Sequence, residues 1–140
     1  MSTNPAGSQV VTSNRNEVTV DFEFNVRGRG PKTHTVIRLD QRGVPVSSLT
    51  TGNDYYKQQI EERLAVENGV ARWSNTAETN VAKAGGFYSS MYGPPEESAI
   101  LARALLKAGG RMPVLPAGEA TIRKAGEMTV KGTHVTAYEI

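Results

Sequence analysis

The segment VTVDFEFNV, residues 18–26, places an apolar side chain at every second position. Because alternate side chains of an extended chain point to opposite faces, this period of two predicts a β-strand with one buried and one solvated side. The solvated side would include Asp21 and Glu23. Residues 14–16 form a turn signal ahead of the strand, so residues 8–13 are predicted to be a shorter partner strand.

Alternating segments also recur on the C-terminal side of this strand, between breaks rich in glycine and proline. They predict strands at residues 33–39, 44–49, 55–67, 70–73, 119–124, 128–131 and 133–140. Residues 58–64 also have good helical propensity. Asn68-Gly69 favours the strand interpretation, because this dipeptide adopts the positive φ angles of a type I′ hairpin turn. Residues 76–86 are predicted to be a loop or a ragged strand.

One segment, about residues 95–108, has the apolar spacing of a helix. Pro95 suits a first helical turn, Glu96 and Glu97 complement the positive helix end, and glycines follow at 109 and 110. The fold class predicted is mainly β (α+β), with a curled antiparallel sheet or half-barrel wrapped around this one helix. Residues 1–7 are predicted to be a flexible lead, and residues 8–140 a single domain truncated at its C-terminal edge.

Composition narrows the function classes. The 140 residues include 16 basic and 14 acidic side chains, and the basic ones are scattered, so no nucleic-acid partner is expected. The chain has no cysteine, which excludes disulfides and metal sites with thiolate ligands. No apolar run approaches the roughly 18 residues of a membrane span, and residues 1–8 lack a signal-peptide pattern.

Candidate catalytic residues are few. His34 and His134 are the two histidines, and Asp21 and Glu23 are paired carboxylates on one strand face. Their spacing matches no metal or hydrolase motif, so we expect surface histidines, a solvated carboxylate face and neither metal nor cofactor. Glu61 and Glu62 are likewise expected to be solvated. Residues 27–30 resemble a phosphate-contacting loop in composition but lack the GxxxxGK(S/T) motif and its following helix, so a flexible hairpin loop with exposed arginines is favoured.

Aromatic residues are densest at residues 87–92. Together with Tyr55 and Tyr56, the following residues are candidates for lining a pocket for an apolar ligand: Trp73, Phe87, Tyr88, Met91 and Tyr92. The alternative is that they fill the core and fix the start of the helix. That alternative is favoured, since aromatic side chains dominate packing in small cores.

Six segments that contain no catalytic motif are VDFEFN (20–25), RGRGP (27–31), TGNDY (51–55), GPPEE (93–97), LARALL (101–106) and LPAGEA (115–120). Together they resemble the N-terminal region that precedes the catalytic barrel in a group of exported bacterial amidohydrolase-family proteins. The resemblance runs from about residue 5 to residue 140. In that family the metal-binding histidines belong to the downstream barrel.

The resemblance implies an accessory β-domain whose partner is that barrel, in a periplasmic or secreted protein. It also implies further strand beyond residue 140, so that an unpaired edge would favour a homodimer. Three functions are therefore open: a non-catalytic accessory domain, an apolar-ligand or lipid-binding half-barrel module, and a small promiscuous hydrolase of activated esters or phosphoesters. The last would use His34, His134, Asp21 or Glu23.

Overall fold

A computed structural model describes residues 5–140 and contains one helix among twelve strands in that range. The elements are β1 (Gly7–Asn14), β2 (Glu17–Phe24), β3 (Lys32–Leu39), β4 (Pro45–Asn53), β5 (Gln59–Glu67), β6 (Val70–Ser74), β7 (Thr79–Lys83), β8 (Phe87–Tyr88), α1 (Glu96–Lys107), β9 (Arg111–Leu115), β10 (Glu119–Thr121), β11 (Arg123–Val130) and β12 (Thr133–Glu139). The predicted fold class, mainly β with a single helix, is confirmed.

The first seven strands form one antiparallel sheet in which each strand pairs with the next along the chain. The period-two pattern of β2 has its predicted effect in the first half of the strand, where Val18 and Val20 are buried. Phe24, at the other end, is exposed. The same parity buries Thr33, Thr35 and Ile37 in β3.

The hairpin between β5 and β6 turns at Asn68 and Gly69, whose φ angles are 50° and 76°. Positive φ at both positions is the geometry predicted for a type I′ turn. Residues 59–67 are accordingly a strand, and the helical alternative for this stretch is wrong.

Helix α1 covers nearly the residues predicted for it. The backbone N–H of Glu96, in the first turn of the helix, donates to the side-chain Oε1 of Gln9 in β1 at 2.9 Å. This hydrogen bond links the start of the helix to the edge of the large sheet. Its buried residues are Ile100, Ala104 and Leu105. They pack in one hydrophobic cluster with Val18, Val20, Ile37, Val44, Phe87 and Met112, so the helix buries its apolar stripe against β2, β3, β8 and β9. A second cluster contains Leu64, Ala71, Trp73 and Tyr88.

Some features differ from the sequence prediction. Strands β8 and β9 were not predicted, and they pair in parallel, on either side of α1 in the chain. Two residues are too few for β8 to show a period, which is why the pattern missed it. The large sheet is open, with β1 and β7 as its edges, so no barrel closes.

The structure describes only residues 5–7 of the lead that was predicted at residues 1–7. Residues 1–4 lie outside the described residues, and Gly7 already belongs to β1.

At the C-terminal end, β11 and β12 form a separate two-stranded sheet on which Met128, Val130 and Val135 are exposed. Within residues 5–140, no helix has the length and apolar character needed to cross a membrane.

Substitution of Gly52 tests the close pairing of β4 with β3 in the large sheet. Gly52 has φ +138°, and a Cβ there would lie 2.1 Å from the carbonyl oxygen of Lys32 in β3. We expect Gly52→Ala to lower the free energy of unfolding by about 2 kcal/mol or more, because backbone strain and the clash add.

Urea denaturation measures the effect, with Gly126→Ala as the control, since a Cβ at Gly126 meets nothing within 4 Å. Equal stability of the two variants would contradict the close approach of β4 to β3.

Candidate functional site

The residues proposed for catalysis do not form one site. His34 Nδ1 lies 2.7 Å from Asp21 Oδ1, on the exposed face of β2 and β3. Glu23 pairs with Lys32 at 3.4 Å. His134 lies on the separate β11–β12 sheet, 3.8 Å from Glu127. Residues 5–140 contain no group of three or more His, Asp or Glu side chains that could hold a metal ion.

The carboxylate of Glu62 in β5 is instead a centre of polar contacts. Its side chain is 1% exposed. The hydroxyl of Tyr88 donates to Oε1 at 2.8 Å, the backbone N–H of Met91 donates to Oε1 at 2.8 Å, and the N–H of Tyr92 donates to Oε2 at 2.7 Å. A buried charge requires such donors, because the free-energy cost of removing it from water is otherwise large.

The prediction that Glu62 is solvated was therefore wrong. Glu62 has the parity of Ile60 and Leu64, the two buried apolar residues of β5, so the strand period already placed it inward. Burial, the hydrogen bond to Glu62 and the negative charge of that carboxylate raise the pKa of Tyr88. The phenol thus stays protonated and remains a donor.

A second carboxylate, Glu97 in the first turn of α1, supports the same loop. Its Oε1 accepts the N–H of Ser90 at 3.0 Å. Burial raises the pKa of Glu97 above its ordinary value, and the negative charge of Glu62 acts in the same direction. The loop of residues 89–93 is consequently fixed from two sides, by β5 and by the helix.

Beside this loop lies a cleft of about 340 Å³, here called the aromatic cleft. Its walls and floor include Phe22, Thr33, Asp54, Tyr55, Tyr56, Ile60, Met91 and Tyr92. The volume falls in the range of small-molecule sites. Glu62 therefore helps to form the cleft, because its bonds to Met91 and Tyr92 hold one wall in place.

The opposite wall belongs to the tyrosine loop, residues 54–58. Asp54 Oδ1 accepts the N–H groups of Tyr56 at 2.8 Å and Gln58 at 2.9 Å, which closes the turn. The N–H of Gly30 donates to the carbonyl of Tyr55 at 3.1 Å and ties this loop to the arginine loop, residues 25–31.

The arginine loop borders a second cavity, of about 470 Å³, lined by Val26, Arg27, Arg29 and Tyr55. As predicted, residues 27–30 form a hairpin loop with exposed arginines: Arg27 and Gly28 have φ angles of 53° and 80°, and Val26 pairs with Arg29. Within the part of the chain that the structure describes, neither arginine has an acidic side chain within salt-bridge distance. Tyr55 is the residue shared by this cationic cavity and the aromatic cleft.

One buried polar group of a residue that lines the aromatic cleft has no partner. Thr33 is 7% exposed, and its Oγ1 is the buried side-chain N or O atom without a hydrogen bond among residues 5–140. Buried hydroxyls are normally bonded, so this one is an exception within the packing behind the cleft wall. Neither Thr33 nor Asp54 was singled out from the sequence.

The predicted ligand-binding aromatics separate into two groups. Trp73, Phe87 and Tyr88 are buried in the two core clusters. Met91 and Tyr92 line the aromatic cleft. Their role in binding stays a prediction.

No protein-family model matches the chain, and neither a curated protein nor a solved structure matches it significantly. The resemblance to the region that precedes amidohydrolase barrels therefore stays a prediction.

Glu62→Gln tests the buried carboxylate. The amide keeps the volume but removes the charge and one acceptor, so one of the three donors at 2.7–2.8 Å loses its partner. We expect a loss of about 2–3 kcal/mol in the free energy of unfolding, measured by urea denaturation. The neighbouring exposed variant Glu61→Gln should change it by less than about 0.5 kcal/mol. Equal effects would contradict the burial of Glu62.

Glu97→Gln tests the raised pKa of Glu97. A carboxyl whose folded pKa is raised loses stability as pH rises through that pKa, because the folded state must then hold a partly buried charge. The amide can still accept the Ser90 N–H. We expect the variant to be more stable than the parent at neutral pH, with the gain vanishing below the ordinary pKa of glutamate, near 4.5. Thermal melts between about pH 4 and 8 measure this dependence, and a gain that grew on acidification would contradict it.

Proposed function

We propose that the chain is a non-catalytic binding domain whose ligand occupies the aromatic cleft. The observation that supports this most directly is the cleft of about 340 Å³ itself, whose apolar and aromatic walls include one carboxylate, that of Asp54. Small-molecule sites typically combine such walls with a few polar groups that orient the ligand. In this proposal the curled sheet, as a half-barrel, is the rigid base from which the three loops project.

Hydrogen bonds hold the loops around the cleft in place, which favours a preformed site. The 89–93 loop is bonded to Glu62 and Glu97, and the tyrosine loop is bonded to the arginine loop. A preformed cleft loses little conformational entropy when a ligand binds, which favours affinity. Hydrolysis is a weaker proposal, because the side chains of the Asp21–His34 pair are both more than half exposed.

As an accessory domain, the chain would hold its ligand or partner beside an enzyme. The resemblance names that enzyme as an amidohydrolase barrel in a periplasmic or secreted protein. Exposed Met128, Val130 and Val135 on the β11–β12 sheet are a surface that such a partner, or a second copy of the chain, would cover.

Benzyl alcohol, a neutral aromatic alcohol, tests the binding function. We expect it to bind with a dissociation constant on the order of 1 mM and to shift the backbone NMR signals of the three loops. Its ring would contact the tyrosines that line the cleft.

Tyr55→Ala should abolish these shifts, because Tyr55 lines the cleft. Tyr138→Ala is the matched control, since Tyr138 is 47% exposed and Tyr55 42%, but Tyr138 lies on β12 away from the cleft. Shifts that do not saturate, or that concentrate on β11 and β12, would contradict the proposal.

A further inference from the structure

Tyr55 separates side chains of opposite charge. Asp54 lines the aromatic cleft on one side, and Arg27 and Arg29 line the adjoining cavity on the other. An anion alone would meet Asp54 in the cleft, and a cation alone would meet the arginines beside it. A ligand with both charges, a cation in the cleft and an anion next to it, would satisfy both sets.

The cleft has the features of a site for a methylated ammonium group. The rings of Tyr55 and Tyr56 are perpendicular, at 88°, with centroids 5.2 Å apart, so they form a corner. Phe22 and Tyr92 add further aromatic surface. Aromatic faces attract quaternary ammonium ions electrostatically, and such groups lose little hydration on entering a cage.

Asp54 adds a fixed negative charge to this corner. Its Oδ1 accepts two backbone N–H groups of the tyrosine loop, so the carboxylate position is set by the turn and not by a flexible side chain alone. The carboxylate complements a cation that carries no N–H donors and therefore needs charge rather than hydrogen bonds.

The arginines complement the anion. Guanidinium groups bind phosphate oxygens with paired, charge-assisted hydrogen bonds. Arg27 is the first residue of the two-residue turn of the arginine loop, and Arg29 follows that turn. The bond from Gly30 N–H to Tyr55 holds the loop against the cleft.

We propose that the ligand of this domain is a phosphocholine group, with its trimethylammonium in the aromatic cleft and its phosphate on Arg27 and Arg29. The inference rests on the proposed binding function and names its ligand class.

Titration calorimetry and NMR with soluble phosphocholine test the proposal. We expect phosphocholine to bind at least about tenfold tighter than choline or inorganic phosphate alone, because both charges are engaged at once. Phosphoethanolamine, whose primary ammonium is strongly hydrated, should bind about tenfold more weakly than phosphocholine. Equal binding of all four compounds would overturn the proposal.

Variants separate the two halves of the site. Asp54→Asn keeps the Oδ1 acceptor of the turn and removes the charge, so it should weaken phosphocholine and choline about tenfold with an unchanged melting temperature. Arg27→Gln with Arg29→Gln should weaken phosphocholine about tenfold, leave choline unaffected and reduce the salt dependence of binding. Arg72→Gln, an exposed arginine outside the site, is the control. Loss of choline binding in the arginine variant would contradict the assignment of the two charges.

Vesicles of phosphatidylcholine distinguish a lipid headgroup from the free compound. Binding to vesicles that soluble phosphocholine competes away supports the lipid source, and binding of soluble phosphocholine alone supports a free metabolite. If benzyl alcohol binds in the cleft and phosphocholine does not, this inference fails and the binding function stands. If neither binds, both fail.

Discussion

The carboxylate of Glu62 is the constraint on which the site depends. A carboxyl group that is 1% exposed within a sheet is tolerated only where hydrogen-bond donors surround it, and here Tyr88, Met91 and Tyr92 supply them. Because two of these donors are backbone N–H groups, the carboxylate fixes the path of the 89–93 loop itself. The loop then presents Met91 and Tyr92 to the cleft, although Met91 is 52% exposed. Core packing alone would not determine the position of so exposed a segment.

The same principle operates at smaller scale in the other loops. Asp40 accepts the N–H groups of Arg42 and Val44 and closes the turn before β4. Burial opposes the ionisation of Asp40, but the Val44 N–H and the Arg42 contacts outweigh it and lower the pKa of that carboxyl. Asp54 closes the tyrosine loop in the same way. Carboxylates that accept backbone donors thus shape turns of this sheet, including the one that carries Tyr55 and Tyr56.

Much of the fold was predictable because period and turn chemistry act locally. Residues 18–26 showed their strand through alternation, and Asn68-Gly69 showed its hairpin through the need for positive φ. The site was less predictable, because it is assembled from loops far apart in sequence. The burial of Glu62 could have been predicted, because it shares its strand parity with Ile60 and Leu64. Its charge instead led to the prediction of a solvated side chain. No sequence pattern indicated the unpartnered hydroxyl of Thr33, because its surroundings are assembled from segments that are far apart in the sequence. The two-residue β8 was too short for any pattern.

Hydrogen exchange at the amides of Met91 and Tyr92 tests the central claim most directly, because it reports on the two bonds that join the loop to Glu62. An exposed loop of this length ordinarily exchanges at close to the intrinsic rate. If the buried carboxylate holds these amides, both should exchange at least about 100-fold more slowly than unprotected amides, as sheet amides do. Exchange of both within about threefold of the intrinsic rate would show that the loop is not anchored, and the account of the cleft would fail with it.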